Sequence, residues 1–237
     1  MKQSVPAVRD KLKPGRNYFR IVILCLAIAA LVFMGGRLYR TYTGNVRNPG
    51  SYLVLVNKQF FLPKNYAPGD LVVPAVKFEK EVTSQEKKLR KEAAAALEAL
   101  FKEAENNGLT LYCESGYRPY DMQKQIYDRI RKEQGREYAA QYVALPGKSE
   151  HQTGLAMDVI QVSDSKTVKG QDFGSTKEGR WLRENASRFG FILRYPQGKS
   201  DITGYHYEPW HIRYVGIKAA EDIYKRKLTL EEYLGNA

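Results

Sequence analysis

The stretch "SEHQTGLAMDVIQV", residues 149–162, changes character at its midpoint. The first half is polar and ends at Gly154. The second half, with Met157, Val159, Ile160 and Val162, predicts a strand from about Leu155. Asp158 lies inside that apolar run, with Ala156 and Ile160 on its own face at a period of two residues. His151 lies seven residues before it. On a helix the two would be about 10.5 Å apart along the axis, too far to share one metal ion through bonds of about 2 Å. They can meet only across a turn, and Gly154 supplies a flexible point for one.

The chain has three histidines, and the other two, His206 and His211, fall together in "GYHYEPWHIRYVG", residues 204–216. A zinc hydrolase needs three protein ligands, an open position for water and a base beside that position. His151, Asp158 and His211 would give two imidazoles and a carboxylate, and Glu208, three residues before His211, would give the base. Each also has a plain reading. His151 could be a hydrogen-bonding loop group, Asp158 a turn cap, Glu208 a surface charge and Trp210 core.

Outward from these segments the elements follow from periodicity and capping. Thr83 and Glu86 have capping-box spacing, and Leu89, Ala93, Ala96, Leu97, Leu100, Phe101 and Ala104 recur at helical steps, predicting a helix over residues 84–107 that ends at Gly108. "LTLYCES" reads as a strand, residues 121–132 as a helix, and a further helix starts near Ser175, capped by Ser175 and Glu178, burying Trp181, Leu182, Ala186 and Phe189. "FILRY" and "WHIRYV" read as strands, and a helical tail begins at Ile217. "YLVLVNK" reads as a short strand, "LPKNYAPGDLVVP" as an extended arm, and "DSKTVKGQDFGSTKEG" as a polar flap beside a cleft. There are no internal repeats. Helices and strands segregate, which predicts an α+β domain with a small, mainly antiparallel sheet and flanking helices.

The first part of the chain is of another kind. Residues 21–36 are uncharged and bounded by Arg20 and Arg37, which reads as a short membrane span, since about 17 residues is the lower limit. Of the formal charge of +12, +5 falls on residues 1–20. The positive-inside rule therefore keeps that basic tail in the cytoplasm and exports the rest of the chain. A cleaved signal peptide shares the charged start and apolar middle, but there is no A-x-A-like site after the run, which favours an uncleaved anchor. Residues 37–51 have linker composition, and residues 52–237 form the extracytoplasmic domain. Cys113 is the only thiol after the span, so that domain has no internal disulfide. Basic residues are interspersed with acids, as in "EKKLRKE", without the clustering of a nucleic-acid face. Anionic cell-surface polymers are the more natural partner.

Together the segments resemble a known family. "SEHQTGLAMD" is similar to the S-x-H-x-x-G-x-A-x-D signature, and "EPWH" to the E-x-W-H signature, of the VanY-type D-alanyl-D-alanine carboxypeptidases, zinc peptidases grouped with lysostaphin-like enzymes and the hedgehog domain. "SGYRPYDMQ" resembles a third family segment, and the likeness spans residues 53–216. It implies His151, Asp158 and His211 as Zn2+ ligands and Glu208 as general base and acid. It implies Arg118 as the group that stabilises the oxyanion, and Gln123, Ser149 and Trp210 as substrate-binding positions. His206 lies outside the signatures and is expected at the pocket rim. The expected function is zinc-dependent removal of the terminal D-alanine from peptidoglycan stem peptides. Alternatives are L,D-carboxypeptidase action on tetrapeptide stems, or a zinc-stabilised wall-binding module that does not cleave. Intact Glu208 and Arg118 argue against the last.

Overall fold

The computed structural model describes Leu24 and residues 44–46, 48–163 and 166–235. The basic tail 1–20 lies outside the described residues, as do the expected anchor 21–36 apart from Leu24 and the first part of the linker. Among the described residues no helix is long and apolar enough to cross a membrane.

The site rests on an antiparallel sheet of strands β5 (Tyr112–Ser115), β6 (Ala156–Ser163), β7 (Lys166–Val168), β8 (Phe191–Tyr195) and β9 (Glu208–Tyr214). Its order is β5-β6-β9-β8, with β7 paired to β6. Alternation along β6 and β9 separates two environments. Met157, Val159, Ile212 and Tyr214 pack under the long helix α1 (Lys91–Asn106), where Ala93, Leu97 and Leu100 join the main apolar cluster. Asp158, His211 and Arg213 point the other way. A second, smaller cluster takes Ile192 and Val215 together with Ala219, Ala220 and Ile223 of helix α6 (Ile217–Arg226) and Leu230 of the short helix α7 (Leu230–Tyr233). Between them in sequence lie helices α2 (Tyr120–Gln134), α3 (Arg136–Tyr142), α4 (Lys177–Asn185) and α5 (Ser200–Thr203). The mixed fold with its antiparallel sheet is the predicted class.

Several local expectations change. The first long helix starts at Lys91, not at residue 84. The Thr83–Glu86 hydrogen bonds do form, but the turn does not propagate. Leu89–Arg90 is strand β4, paired with strand β3 (Leu71–Val72). The carbonyls of Glu86 and Lys88 accept from Gly116 and Tyr117, and Arg90 N–H donates to the Gly154 carbonyl. Tertiary backbone bonds thus outcompete local propensity. "YLVLVNK" forms no strand. Its neighbour Phe60–Phe61, strand β2, pairs with Gly44–Asn45, strand β1, so the linker region already touches the domain. Helix α4 is capped by Thr176, one residue after Ser175, through a bond from Gly179 N–H. The proposed flap carries β7 and a 3-10 turn over Gly170–Ser175 that buries Phe173, while Thr167, Lys169, Gln171, Asp172, Ser175 and Lys177 stay exposed.

Candidate metal centre

Register places two of the expected ligands side by side. Asp158 on β6 is the direct partner of His211 on β9, and Ser115 on β5 faces Asp158 from the other side. His151 arrives from a 3-10 turn, Glu150–Thr153, that ends at Gly154 with φ of +65°. A Cβ there would also come within 2.7 Å of the Leu71 side chain, so both conformation and space call for glycine. Ligand atoms of His151, Asp158 and His211 all lie within 4.8 Å of one another. His151 Nε2 is 3.4 Å from Asp158 Oδ2, and His211 Nδ1 is 2.9 Å from Asp158 Oδ1.

The opposite ring nitrogens are occupied. His151 Nδ1 lies 2.8 Å from the Gly116 carbonyl and donates to it, which leaves the Nε2 lone pair facing Asp158. Gly116 itself tolerates no side chain, because a Cβ would meet the Lys88 and Glu86 carbonyls at 2.6 and 2.7 Å. His211 Nε2 lies 3.4 Å from Glu150 Oε2. Donor atoms around a four-coordinate zinc with bonds of about 2.0–2.2 Å are about 3.3–3.6 Å apart, and two imidazoles with a carboxylate are a recurring zinc donor set. The residues present fit such an ion.

Electrostatics favour positive charge here. Burial opposes ionisation of Asp158, but His151 and His211 outweigh it and hold the carboxyl well below the usual range. Burial pushes the His151 imidazole down, against the pull of Asp158. For His211 burial also works downward, yet hydrogen bonds to Asp158 and Glu150 prevail and hold it at about 9. Burial lifts Glu208 to about 7, with His211 opposing and Asp158 and Glu150 adding to the rise. A carboxyl near neutrality can both take up and release a proton.

These groups line a cleft of about 170 Å³ that also includes Arg118, Gln123, Ser149, Trp210, Tyr142 and Tyr195. Arg118 is fixed by Nη1 donating to Gln123 Oε1 at 2.9 Å and Nη2 to Ser115 Oγ at 2.7 Å. Gln123 in turn donates to the Ala144 carbonyl at 2.7 Å. It is buried, so it orients Arg118 as well as lining the cleft. Ser149 is buried in the wall, and Trp210 lies half-buried, packed against the main apolar cluster. His206 is exposed, outside the lining, with its ring stacked on Tyr142 at 4.8 Å.

Sequence reasoning missed the group that stands behind His211. Glu150 is fully buried and accepts from two fully buried arginines, Arg194 of β8 and Arg213 of β9. The available signal was an arginine inside each apolar strand, in "FILRY" and "WHIRYV", since a buried guanidinium demands a partner.

Comparison with known proteins agrees with the geometry. The sequence profile named VanY, described as D-alanyl-D-alanine carboxypeptidase, matches residues 86–217. YodJ of Bacillus subtilis (strain 168) is 52% identical over 188 residues, which cover 79% of this chain and 68% of YodJ. Among solved structures, the LdcB LD-carboxypeptidase superimposes with a TM-score of 0.77 at 50% identity, covering 82% of this chain and 91% of that one. A variant of the vancomycin-resistance D,D-pentapeptidase VanY, in complex with Zn(II), superimposes with a TM-score of 0.61 at 39% identity, over 77% and 98% of the two chains.

Proposed function

This chain belongs to the VanY family of D-alanyl-D-alanine carboxypeptidases and is a carboxypeptidase; we propose that it is a zinc-dependent D,D-carboxypeptidase acting on peptidoglycan stem peptides. The observation that carries the reading is the convergence of His151, Asp158 and His211 beside a carboxyl raised to about 7. Zinc, when held by those three residues, would supply a Lewis acid for the scissile carbonyl and the attacking water. Glu208 takes a proton from that water and passes it to the nitrogen of the departing D-alanine, and the second water proton follows from the new carboxyl group, so the peptide ends as a carboxylate and the leaving group as an ammonium. Arg118, braced by Gln123 and Ser115, offers its guanidinium to the charge that develops on the carbonyl oxygen. Ser149 and Trp210 would line the stem peptide's path along the cleft. The basic tail 1–20 and apolar run 21–36 support a membrane-anchored protein with residues 52–237 outside the cell, beside newly made wall. Protease added to intact cells should then remove the domain.

A second reading has its own support. The LdcB LD-carboxypeptidase is the nearer of the two structures, at 50% identity against 39%. Both reactions release a terminal D-alanine and differ in the residue left behind, a D-centre with a methyl group or an L-centre with a long side chain. Full chain incubated with pentapeptide and tetrapeptide muropeptides together, with and without chelator, separates them by mass spectrometry. The expected result is chelator-sensitive loss of one alanine from the pentapeptide first. Prior shortening of the tetrapeptide would assign L,D activity, and no loss from either with zinc bound would overturn both.

A further inference from the structure

His211 has two ring nitrogens with two different neighbours. Nδ1 faces Asp158 Oδ1 at 2.9 Å, and Nε2 faces Glu150 Oε2 at 3.4 Å. For Nδ1 to present a lone pair to a cation, the ring proton has to sit on Nε2, where an acceptor must receive it. Glu150 is that acceptor, and its two oxygens divide the work. Oε1 takes Arg194 Nε at 2.7 Å and Arg213 Nη1 at 2.6 Å, which leaves Oε2 for the imidazole.

The brace continues away from the cleft. The outer nitrogens of Arg194 grip Glu231 of α7 through two bonds, at 2.9 and 2.6 Å, and Asn57 Nδ2 donates to the same carboxylate at 3.1 Å. Arg213 Nη2 donates to the carbonyls of Val54 at 2.7 Å and Tyr52 at 3.1 Å. All four charged side chains are buried. The turn that carries Glu231 is itself fixed by a capping box between Thr229 and Glu232. Stability alone is weak grounds for a buried set of two carboxylates and two guanidinium groups, since apolar side chains of similar volume often serve as well or better. Apolar residues could not, however, direct a carboxylate oxygen at Nε2 of His211.

We infer that Glu150, held by Arg194 and through it by Glu231, is a positioning residue that fixes the ring of His211 for metal binding, so that α7 is a working part of the metal centre. The inference rests on the zinc-dependent reading of the site. Its test measures zinc affinity on the full chain by competition with a chromophoric chelator. The variants are Glu150→Gln, Glu150→Asp, which keeps the charge but withdraws the oxygen from the ring, and Glu231→Gln. Loss of such an outer partner costs about 10–100-fold in metal affinity, which is expected for both Glu150 variants, with about 3–10-fold for Glu231→Gln. The visible spectrum of the cobalt-loaded Glu150→Asp protein should shift from that of the parent, since the donor geometry changes. Variants that melt earlier in chelator yet bind zinc within twofold of the parent would reduce the cluster to a structural role and overturn the inference. Should Glu150→Gln fail to fold, Glu231→Gln, in which Arg194 keeps Glu150 as a partner, decides by the same twofold criterion. A parent chain that binds no zinc removes both readings, whereas a parent that binds and variants that bind equally remove only this one.

Discussion

His211 stands between two clusters of charge that are completed in different ways. On one side Glu150, Glu231, Arg194 and Arg213 balance one another, two against two, with hydrogen bonds from 2.6 to 2.9 Å. On the other side Asp158, Glu208 and His151 have no arginine side chain hydrogen-bonded to them among the described residues, and His211, held at about 9, sets its proton against Asp158 at 2.9 Å. The first is closed by the chain itself. The second leaves a place that a divalent cation would fill in exchange for that proton. One sheet therefore holds a charge-balanced structural cluster and a cluster with the donor set for a cation, joined by a single imidazole.

The largest effect should separate the two by function. Glu208→Gln is expected to lower turnover by about 10²–10⁴-fold, with bound zinc unchanged by elemental analysis. Normal turnover would mean that the open cluster works without its carboxylate. Next comes a change on the closed side. Arg194→Met leaves Glu231 without its guanidinium partner and should cost about 3–5 kcal/mol of stability by urea denaturation in chelator. A loss under about 1 kcal/mol would show that the four charges do not depend on one another.

The smallest effect has the opposite sign. The folded metal-free protein holds the Glu208 proton to about pH 7, while an unfolded Glu releases it near 4.3. The stabilisation from that tighter proton is complete below the unfolded value and is lost as pH rises through 7. Glutamine has no proton to lose. Metal-free Glu208→Gln should therefore exceed the parent in stability at pH 8, by about 1–3 kcal/mol, and match it near pH 4. A variant less stable at pH 8 would break the contrast between the clusters.

Legibility in the sequence divides along the same line. His151, Asp158, His211 and Glu208 could be singled out together because a hydrolytic metal site asks for a limited set of residue types, and their spacing matched a family signature. The structure brings all four to one cleft with Arg118, Gln123, Ser149 and Trp210. Glu150 lies one residue from His151, at a position the signature leaves open. Its partners Arg194 and Arg213 are 44 and 63 residues further on, Glu231 behind Arg194 is 81 further on, and no local pattern links them. The same limit explains the late start of α1. The Thr83–Glu86 cap is a genuine local interaction, but the carbonyls that would have extended the helix are claimed by Gly116 and Tyr117. The class of the fold, in contrast, followed from the segregation of helical and strand segments along the chain, with "LAMDVIQV" and "WHIRYV" among the strands.

The place of Glu231 in the chain also sets an order of events. Strands β6, β8 and β9 can pair as soon as residue 214 has been made, but at that moment Arg194 lacks the carboxylate that grips its outer nitrogens. Synthesis delivers a chain from its first residue onward, at about 5–20 residues per second. A growing chain that stops short of residue 231 therefore holds a sheet with a guanidinium only half neutralised, and its last step of folding has to wait for α7. The centre of the molecule is finished by a residue made only after every strand of its sheet.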